Sequence, residues 1–555
     1  MTKHKPNTMT VIDYVLTRLQ EIGIRDVFGV PGDFSFPVDD AICQQPHLNH
    51  IGCCNELNAA YAADGYARIN GLAALSTTYG VGELSAINGI AGSYAEYLPI
   101  FHLVGMPPMN MQETQRIVHH TLGNGEFDLF YHMVDPVVCV KAILTPANCA
   151  SETERLIAAA LYHRRPVYMV FPADYATMPV AGTAQPVAPP VSDPDSLDAA
   201  VTAILDKIRA STQGCILPGI IVSRCGFEQT ATHFIEATGF PFATMFMDKG
   251  VLEEAHPNYM GMYDGCLMNE SIRNYVENSD CLISIGALLT DISTGAFTAR
   301  INPAHHINIK HHSVQIGQAH YKQVEMEDIL QALSDRLSPT SQYQWPTELR
   351  LKEPVGATQD KINAEYLYSR WQQMLRPDDI LIAETGTVSM GLGFAAMPAR
   401  ASYQNQGLWC SIGWATPAAF GAAIAAPARR VILICGDGAH QISAQEISQF
   451  CQHGIKPIIF ILNNQGYLIE RLLCNQPEID YNDIAPWRYA LLPKALGCDD
   501  WFTTRVSNCE ALDQAINIAE QVDSGVYIEV VTDKYVMPKL AQRIHEEKAS
   551  FYSSA

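Results

Sequence analysis

Short apolar runs rich in β-branched residues recur along the whole 555-residue chain, separated by segments of helical length. Such runs predict β-strands, and strands that alternate with helices predict parallel sheets with helices on both faces. We therefore expect an α/β protein made of doubly wound parallel-sheet domains in series. The predicted strands are Asp26–Val30, Ala73–Tyr79, Ile100–Val104, Val167–Phe171, Gly219–Ser223, Cys281–Ile285, His306–Ile309, Ile380–Ala383, Val431–Cys435, Ile458–Leu462 and Tyr527–Val531.

Two polar, proline-punctuated stretches divide this pattern into three sections. The first stretch is Gln185–Pro194 and the second is Ser338–Pro354. Proline-rich segments form stiff, extended connectors between domains. A chain of this length has a prior of about three to four domains. We therefore predict three domains, formed by residues 1–185, 186–345 and 346–555.

Two helix starts have a predicted cap. Thr10 precedes a run with apolar residues at helical spacing and is predicted to cap that helix. Ser443 and Glu446 have the spacing of a capping box, which predicts a second helix start. A further helix is predicted over Glu56–Arg68, ending before Gly71.

The composition excludes several classes of function. The formal net charge of −22 disfavours binding to nucleic acid and to anionic membranes. No apolar run is long enough to span a bilayer, and the first ten residues have no apolar stretch that would predict a secretory signal. Without a predicted secretory signal, the fifteen cysteines are expected to be reduced and mostly buried thiols. They form no C-x-x-C pair, which disfavours a zinc ribbon. These features predict a cytoplasmic protein that does not bind membranes.

Polar residues follow two of the predicted strands in the last section. Gly436, Asp437 and Gly438 end one strand, and Asn464 and Gly466 follow the next. The carboxyl ends of parallel strands meet at one edge of a sheet, where open α/β sheets bind ligands. Mg²⁺ prefers oxygen ligands, which the Asp437 carboxylate, the Asn464 amide and the Gly466 carbonyl can supply together with phosphate oxygens. The alternative is a pair of ordinary strand-end turns.

The same motif resembles the cofactor signature of thiamine-diphosphate enzymes. Other segments resemble one branch of them, the pyruvate, indolepyruvate and branched-chain 2-oxo acid decarboxylases. The resemblance covers the whole chain. The segments that carry it are Gly29–Phe34, Cys53–Tyr61, His119–Gly123, Ala383–Gly386, Ser411–Trp414, Gly436–Gly438, Asn463–Asn464 and Gly466–Glu470.

The resemblance implies the thiamine-diphosphate-binding fold, with thiamine diphosphate and Mg²⁺ as cofactors. The three domains then become, in order, the pyrimidine-binding, central and diphosphate-binding domains. Mg²⁺ is assigned to Asp437, Asn464 and the Gly466 carbonyl. The full set of implied cofactor-binding residues is Glu56, Thr385, Gly386, Cys410, Ile412, Asp437, Gly438, Ala439, Asn464, Gly466 and Ile469.

The implied reaction is non-oxidative decarboxylation of a 2-oxo acid to an aldehyde and CO₂, through the cofactor's ylide and an enamine. Glu56 is assigned to the aminopyrimidine ring, Ile412 to the wedge that folds the cofactor, and the Cys410 carbonyl to its amino group. The proton-handling residues are assigned as Asp33, His119, His120 and Glu470. Neighbouring residues of a regular element point different ways, so His119 and His120 are not required to act as a pair.

The expected substrate is a longer aliphatic, branched or aromatic 2-oxo acid rather than pyruvate. Relatives that accept only small substrates place bulky aromatics after the Glu-Thr-Gly motif, whereas this chain has Ser389 and Met390 there. Smaller or more adaptable side chains leave room for a larger substrate. Ile469, Leu473 and Ile544 are expected to complete the apolar wall.

The resemblance also implies a homodimer at minimum and favours a homotetramer, because the catalytic groups of its members meet across a subunit interface. Three alternatives stay open. One is a thiamine-diphosphate carboligase of the acetohydroxyacid synthase type, which the His119–His120 pair and Glu470 disfavour. Another is a dinucleotide-dependent oxidoreductase, which the missing third glycine after Gly436 and Gly438 disfavours. The last is a non-catalytic assembly component, which should have lost Glu56, Asp437 or Glu470.

Overall fold

The fold is that of a computed structural model, which describes residues 9–338, 343–347, 351–354 and 359–552. Residues 1–8, which carry part of the expectation about a secretory signal, lie outside the described residues, as does part of the stretch Ser338–Pro354. The described chain forms three β-sheets in series, each formed by one of the three predicted sections. The expectation of an α/β fold with mainly parallel sheets is therefore confirmed.

The first sheet has six parallel strands in the order β2-β1-β3-β4-β6-β5. Its central strands are buried along their whole length, as helices on both faces require. Thr10 caps α1 as predicted, because its hydroxyl accepts the Asp13 N–H at 3.2 Å. The strands are β1 Asp26–Gly29, β2 Asn49–Gly52, β3 Ala73–Thr78, β4 Ile100–Met106, β5 Val140–Ile143 and β6 Val167–Pro172. The helices are α1 Val11–Glu21, α2 Phe36–Gln44, α3 Glu56–Asn70, α4 Val81–Ala95, α5 Met109–Glu113, α6 Leu129–Met133, α7 Cys149–His163 and α8 Ala173–Ala176.

The middle sheet has seven strands in the order β13-β12-β11-β10-β7-β8-β9. Its strands are parallel except for a hairpin at one edge, where β12 pairs antiparallel with both β11 and β13. The strands are β7 Gly214–Pro218, β8 Phe242–Thr244, β9 Tyr259–Met262, β10 Cys281–Ile285, β11 His306–Ile309, β12 Ser313–Ile316 and β13 Ala319–Lys322. The helices are α9 Pro194–Ala210, α10 Ile220–Cys225, α11 Glu228–Thr238, α12 Glu270–Glu277 and α13 Met326–Ser334.

One predicted strand of the middle section is wrong. Most of Gly219–Ser223 belongs to helix α10, and the strand precedes it as β7. Asp248 Oδ1 accepts the Ile220 N–H at 2.7 Å and so satisfies the start of this helix. The prediction followed the β-branched composition, whereas a contact with a distant residue determines the local structure.

The third sheet repeats the strand order of the first. It has six parallel strands in the order β15-β14-β16-β17-β19-β18, which becomes 2-1-3-4-6-5 when the strands are numbered from its own first strand. The strands are β14 Ile380–Ala383, β15 Ser402–Gln404, β16 Val431–Gly436, β17 Ile458–Asn463, β18 Phe502–Val506 and β19 Val526–Val531. The helices are α14 Ala364–Met374, α15 Thr387–Leu392, α16 Ala415–Ala425, α17 Asp437–Ser443, α18 Ile447–Gln452, α19 Leu468–Leu473, α20 Leu492–Ala495, α21 Cys509–Ala519 and α22 Lys539–Tyr552.

Contacts divide the chain into two compact units. The first unit contains the residues up to Pro189 together with Thr416–Ala428 and Ser443–Ile455. The second contains Pro190–Ala415, Arg429–Ile442 and the residues from Lys456 onward. The first sheet therefore belongs to one unit, and the middle and third sheets belong to the other. Within the described ranges, no helix combines the length and apolar composition that crossing a membrane requires.

Helix α16 packs closely against α3 inside the first unit. A Cβ added to Gly65 of α3 would lie 2.1 Å from the Ala418 carbonyl oxygen, and one added to Gly421 of α16 would lie 1.8 Å from that of Ala62. The two backbones approach this closely because glycine has no side chain at either position. A late segment of the chain thus completes the core of the first unit.

We expect Gly421→Ala to lower the free energy of unfolding by about 1–3 kcal/mol, because the added methyl group overlaps main-chain atoms that cannot move aside. Urea unfolding followed by circular dichroism measures this change. Gly52→Ala is the matched control in the same unit, since a Cβ at Gly52 meets nothing within 4 Å. Equal losses for the two variants would contradict the close packing of α3 and α16.

Candidate active site

The second unit holds the predicted metal ligands at the carboxyl ends of β16 and β17, which are parallel neighbours. Asp437 begins α17 directly after β16 and is 1 % exposed. Its Oδ1 accepts the Gly438 N–H at 2.8 Å, and its Oδ2 accepts the Gln465 N–H at 2.7 Å and the Gly466 N–H at 3.3 Å. These bonds fix the carboxylate against the loop that follows β17.

The three predicted metal ligands converge. Asn464 Oδ1 lies 2.8 Å from the Gly466 carbonyl oxygen and 3.2 Å from Asp437 Oδ1. Adjacent oxygens of an octahedron around Mg²⁺, with metal–oxygen distances of about 2.1 Å, are about 3.0 Å apart. Without a cation, the Asn464 amide can turn over and donate to both oxygens; with a cation, its oxygen faces inward. The donor set therefore fits Mg²⁺.

A buried arginine, which the sequence did not predict as a functional residue, binds a backbone carbonyl group of the loop that follows β17. Arg471 is 1 % exposed, and its Nη2 donates to the carbonyl oxygens of Gln465 at 2.9 Å and Asn482 at 3.1 Å. Gly466 has a φ of +144°, and a Cβ there would lie 2.1 Å from the Asn482 carbonyl oxygen. Only glycine fits this position, so the loop has one well-defined course. The sequence feature that could have indicated a role for Arg471 is its charge within the otherwise mainly apolar helix α19.

The predicted ring-binding residues lie at the same edge of the third sheet. Thr385 and Gly386 follow β14, and Gly386 lies beside Ile469, since a Cβ there would be 3.7 Å from Ile469 Cγ2. The Thr385 hydroxyl donates to the Gln406 carbonyl oxygen at 3.2 Å. Gln406 leads into the loop that carries Cys410 and Ile412. Three carboxyl strand ends, those of β14, β16 and β17, therefore contribute to one site.

The loop after Gln406 also contacts the helix that begins at Asp437. A Cβ added to Gly413 would lie 2.9 Å from Ile442 Cβ and 3.3 Å from the Ala439 carbonyl oxygen, both on α17. Ile412, which directly precedes Gly413, is half-buried. The structure thus brings the predicted wedge segment next to the helix that carries Gly438 and Ala439.

The predicted substrate-pocket residues lie on three helices of the second unit. Met390 of α15 and Ile544 of α22 pack against one apolar cluster, and Met390 also packs against Leu468 and Leu472 of α19. Ile469 and Leu473 of α19 are half-buried. Ser389 is 4 % exposed and its hydroxyl donates to the Gly386 carbonyl oxygen at 3.0 Å, so this side chain is used inside α15. Glu470, in the first turn of α19, is exposed.

The first unit holds the other predicted proton-handling residues. Asp33 follows β1, and His119 and His120 follow β4. His119 Nε2 lies 2.8 Å from Asp33 Oδ2, and the His119 ring stacks on Phe34 at 4.8 Å between centroids. These contacts fix the orientation of the imidazole at the carboxyl edge of the first sheet.

His119 and His120 do come together. Their ring centroids are 4.6 Å apart, because the two residues lie in a turn and His120 has a φ of +65°. Neighbouring side chains point different ways in a helix or strand, but not necessarily in a turn such as this one. His120 Nδ1 is buried and has no hydrogen-bond partner among the described residues. Buried polar atoms without partners are rare in proteins and are expected where a ligand completes the site.

Glu56 lies at the same edge of the first sheet. It is the first residue of α3, directly after the cap Asn55, whose side chain accepts the Asn58 N–H at 2.8 Å. Its carboxylate lies beside Gly82 at the start of α4, where an added Cβ would be 3.3 Å from Glu56 Oε1. The first unit therefore brings Asp33, Glu56, His119 and His120 to the ends of neighbouring strands.

The predicted capping box of Ser443 and Glu446 is wrong. Ser443 makes no side-chain cap bond; it ends α17 and precedes a short 3₁₀ turn. Glu446 is fully buried and accepts the Cys54 N–H at 3.2 Å and the Asn58 amide at 2.7 Å. Burial raises the pKa of Glu446 above its usual value. This glutamate, missed as a functional residue, anchors the helix start that carries Glu56.

Three family models match the chain in the order of its three sheets. They describe the N-terminal TPP-binding domain of thiamine pyrophosphate enzymes over residues 9–127, their central domain over residues 201–335 and their C-terminal TPP-binding domain over residues 376–530. The chain therefore belongs to the thiamine pyrophosphate enzyme family. Thiamine diphosphate is accordingly its cofactor.

Its relatives indicate the class of enzyme. The alpha-keto-acid decarboxylase of Mycobacterium leprae is 36 % identical over 96 % of this chain and 94 % of its own length. The proteins of the same name from Mycobacterium ulcerans and Mycobacterium tuberculosis H37Rv are also 36 % identical, over 96 % of this chain and 95 % and 96 % of their own lengths. The chain is a thiamine-diphosphate-dependent carboxy-lyase.

Two solved structures share the fold at low sequence identity. Benzoylformate decarboxylase from Polynucleobacter necessarius is 17 % identical, with a TM-score of 0.80 over 95 % of this chain and 99 % of its own. The thiamine diphosphate-dependent 4-hydroxybenzoylformate decarboxylase of Rhodococcus jostii is 19 % identical, with a TM-score of 0.77 over 94 % of this chain and 99 % of its own. The expected thiamine-diphosphate-binding fold is therefore confirmed.

We expect metal binding to release a proton from Asp437 below neutral pH. Burial raises the pKa of Asp437 to about 7 in the metal-free protein, even though backbone N–H groups favour the ionised form. Titration with Mg²⁺ and thiamine diphosphate should then release about one more proton per site at about pH 6 than at about pH 9. Calorimetry in buffers of different ionisation enthalpy measures this difference.

Asp437→Asn is the control for that titration. Asparagine cannot ionise, so the number of protons that this variant releases on binding is the number lost by groups other than residue 437. Both proteins are compared at ligand concentrations that saturate them. If the wild type and the variant release the same number of protons at the lower pH, the metal does not displace a proton from Asp437.

Proposed function

We propose that this enzyme converts a 2-oxo acid into an aldehyde and CO₂ without oxidation, using thiamine diphosphate and Mg²⁺. The observation that carries the proposal is the cluster of Asp33, His119 and His120, with His119 Nε2 2.8 Å from Asp33 Oδ2. Replacing a carboxylate by hydrogen requires a proton at the carbon that loses CO₂, and this cluster can supply protons. The relatives named alpha-keto-acid decarboxylase support the same reaction.

The proposal assigns the cofactor and its metal to the residues that the sequence predicts for them. Asp437, Asn464 and the Gly466 carbonyl would hold the Mg²⁺, and the glycine after Asp437 would let the backbone approach a diphosphate. When bound, thiamine diphosphate supplies the carbon nucleophile and the electron sink for the loss of CO₂. The remaining contacts are assigned to Glu56, Thr385, Gly386, Cys410, Ile412, Gly438, Ala439 and Ile469. The proposed division into domains of residues 1–185, 186–345 and 346–555 gives the first to the pyrimidine ring and the third to the diphosphate.

Side chains of the protein are assigned to the proton transfers of the reaction. Asp33 orients His119 through the bond to Nε2, and the Phe34 ring fixes the imidazole plane. We assign to His119, His120 and the carboxylate of Glu470 the addition of a proton at the reacting carbon and the removal of one from the oxygen that becomes the aldehyde carbonyl. Imidazole and carboxyl side chains are the groups that enzymes most often use to transfer protons.

The proposed substrates are longer aliphatic, branched-chain or aromatic 2-oxo acids, such as indolepyruvate, in preference to pyruvate. Met390 and Ile544 lie in one apolar cluster, beside the α19 helix that carries Ile469 and Leu473. These side chains offer an apolar wall without a bulky aromatic ring at positions 389 and 390. Benzoylformate, which appears in the name of one structural neighbour, is an aromatic 2-oxo acid.

A substrate panel tests both parts of the proposal. We expect the enzyme with thiamine diphosphate and Mg²⁺ to form stoichiometric aldehyde and CO₂, with higher kcat/KM for indolepyruvate and branched-chain 2-oxo acids than for pyruvate. Met390→Trp should lower kcat/KM for the large substrates by about tenfold or more and leave pyruvate less affected, since pocket contacts of this size contribute about 1–3 kcal/mol.

Glu56→Gln is the control for cofactor activation and should bind the cofactor but turn over slowly. A 2-hydroxy ketone as the main product would identify a carboligase instead. A higher kcat/KM for pyruvate than for every larger acid would contradict the substrate proposal alone.

We propose a homodimer as the minimal active form and a homotetramer as the full assembly. In the first unit, the side chains of Asp33 and His119 are 44 % and 58 % exposed, although a pocket shielded from water favours the loss of CO₂ from a charged carboxylate. Large apolar side chains also lie exposed near them, including Ile117 at 74 % and Leu122 at 67 %. A second copy of the chain would bury this rim and close the site.

We expect Leu122→Asp to shift the protein toward monomers and to abolish turnover, because a charge would be buried in the proposed interface. Sedimentation velocity and an activity assay over a dilution series measure both effects. Val191→Asp is the control, since Val191 is 80 % exposed in the connector between the first and middle sections. Fully active monomers of the wild type would rule out the proposal.

A reducing compartment, the cytoplasm, is proposed from the thiols. No disulfide joins the cysteines that the structure describes, and several of their thiols are fully buried in the apolar cores. Free thiols in such numbers are typical of proteins in reducing compartments.

A further inference from the structure

The loop between β15 and α16 carries both Cys410 and Ile412, to which the proposed function gives the cofactor's amino group and its folded shape. Cys410 has a φ of +54° and Gly413 a φ of +88°, so the loop has an irregular course that local sequence does not stabilise. Side-chain hydrogen bonds must therefore hold it in place.

One of these side chains is Glu384, the residue directly after β14. It is fully buried, and its Oε2 accepts the N–H groups of Gly413 at 3.1 Å and Ala415 at 3.2 Å. The Thr385 N–H donates to its Oε1 at 2.9 Å, and the thiol of Cys435 lies 3.6 Å from its Oε2. Both carboxylate oxygens thus accept hydrogen bonds, and Oε2 accepts those from Gly413 in the loop and from Ala415 at its end.

A second side chain that holds the loop is that of Gln406, which lies near the start of the loop itself. It is 1 % exposed, and its Oε1 accepts the Ser411 N–H at 2.7 Å. The accepted N–H groups of Ser411, Gly413 and Ala415 alternate along the chain, so the two side chains hold the backbone on either side of Ile412. Glu384 and Gln406 together form a clamp on this loop.

The chemistry of Glu384 is unusual for a residue with only a structural role. Burial raises its pKa to about 7, and among the described residues no lysine or arginine lies within ion-pair distance of it. Asp379, which directly precedes β14 at the other end of the strand, is also buried but has Arg430 at 2.6 Å. Glu384, at the carboxyl end of β14, has backbone N–H groups as its partners instead of a cation. Burying a carboxylate without a cation costs free energy of folding. We therefore infer that Glu384 is needed to hold the loop in position.

We propose that Glu384 is a positioning residue, which fixes Cys410 and Ile412 through the Gly413 and Ala415 N–H groups and so sets the folded shape of the bound cofactor. The proposal rests on the proposed function, because it takes Ile412 as the wedge. Its consequence is that Glu384 controls how readily the cofactor's reactive ring carbon loses its proton. A residue that only stabilised the fold would change the unfolding temperature without this effect.

The test measures exchange of that ring proton for deuterium in the bound cofactor, by acid quench and NMR, at saturating thiamine diphosphate and Mg²⁺. We expect Glu384→Gln to slow the exchange by about tenfold to a hundredfold, the effect expected for losing a buried hydrogen bond to a charged acceptor. Asp379→Asn is the matched control, since it removes a buried carboxylate at the far end of the same strand. It should lower the unfolding temperature and leave the exchange rate unchanged.

A second variant removes one donor and leaves the carboxylate in place. Ala415→Pro deletes the N–H that Glu384 accepts, at the first residue of α16, a position where helices tolerate proline. It should also slow the exchange. If both Glu384→Gln and Ala415→Pro bind the cofactor and exchange at the wild-type rate, or if Glu384→Gln does not fold and Ala415→Pro exchanges at that rate, the inference is overturned. If the wild type exchanges no faster than free cofactor, the proposed function itself fails, and the inference fails with it.

Discussion

Parallel strands end at one edge of their sheet, and every functional group described above depends on that geometry. At such an edge the last N–H and C=O groups of each strand turn away from the sheet, so short loops can place side chains from several strands within contact distance. In the third sheet, Asp437 after β16 and Asn464 after β17 meet in this way. The first sheet has the same strand order, and Asp33, Glu56 and His119 follow three of its strands. The same strand order, present in two sheets, thus places the proposed metal ligands in one unit and the proposed proton-handling residues in the other.

Buried carboxyl groups stand beside both sites and weaken the fold. Burial raises the pKa values of Glu83, Glu384 and Asp437 to about 7 each. The folded state therefore binds their protons more tightly than the unfolded state does. The contribution of these groups to stability falls as the pH rises from the unfolded pKa, near 4, to about 7, and stays constant above it. Glu83 shows that such a group can also shape a turn, since it accepts the Gly80 N–H at 2.7 Å beside the His120 segment. Retaining such groups at functional edges is a common exchange of stability for function.

The sequence predicts those parts of the fold that rest on local patterns. Thr10 caps its helix, and the strands before Asp437 and Asn464 lie where the apolar runs end, because capping and strand burial act over a few residues. Predictions of secondary structure and of hydrogen-bond partners fail where the partner is distant in the sequence. Ile220 begins a helix because Asp248 accepts its N–H, and Glu446 binds the start of α3 rather than its own helix. The partners of Arg471 and Glu384 are likewise not predictable from local sequence, since these side chains bind C=O and N–H groups of loops; for Arg471, only its charge within an apolar run indicated a role.

The way in which α16 and α18 complete the first unit has a consequence for biosynthesis. The ribosome releases the chain from its N-terminus, so the first sheet emerges long before Thr416–Ala428 and Ser443–Ile455 exist. At translation rates of about 5–20 residues per second, the delay is on the order of tens of seconds. During that time the alanine-rich face of α3 around Gly65 has no helix to cover it. The first unit therefore cannot complete its core until more than three quarters of the chain has been synthesised.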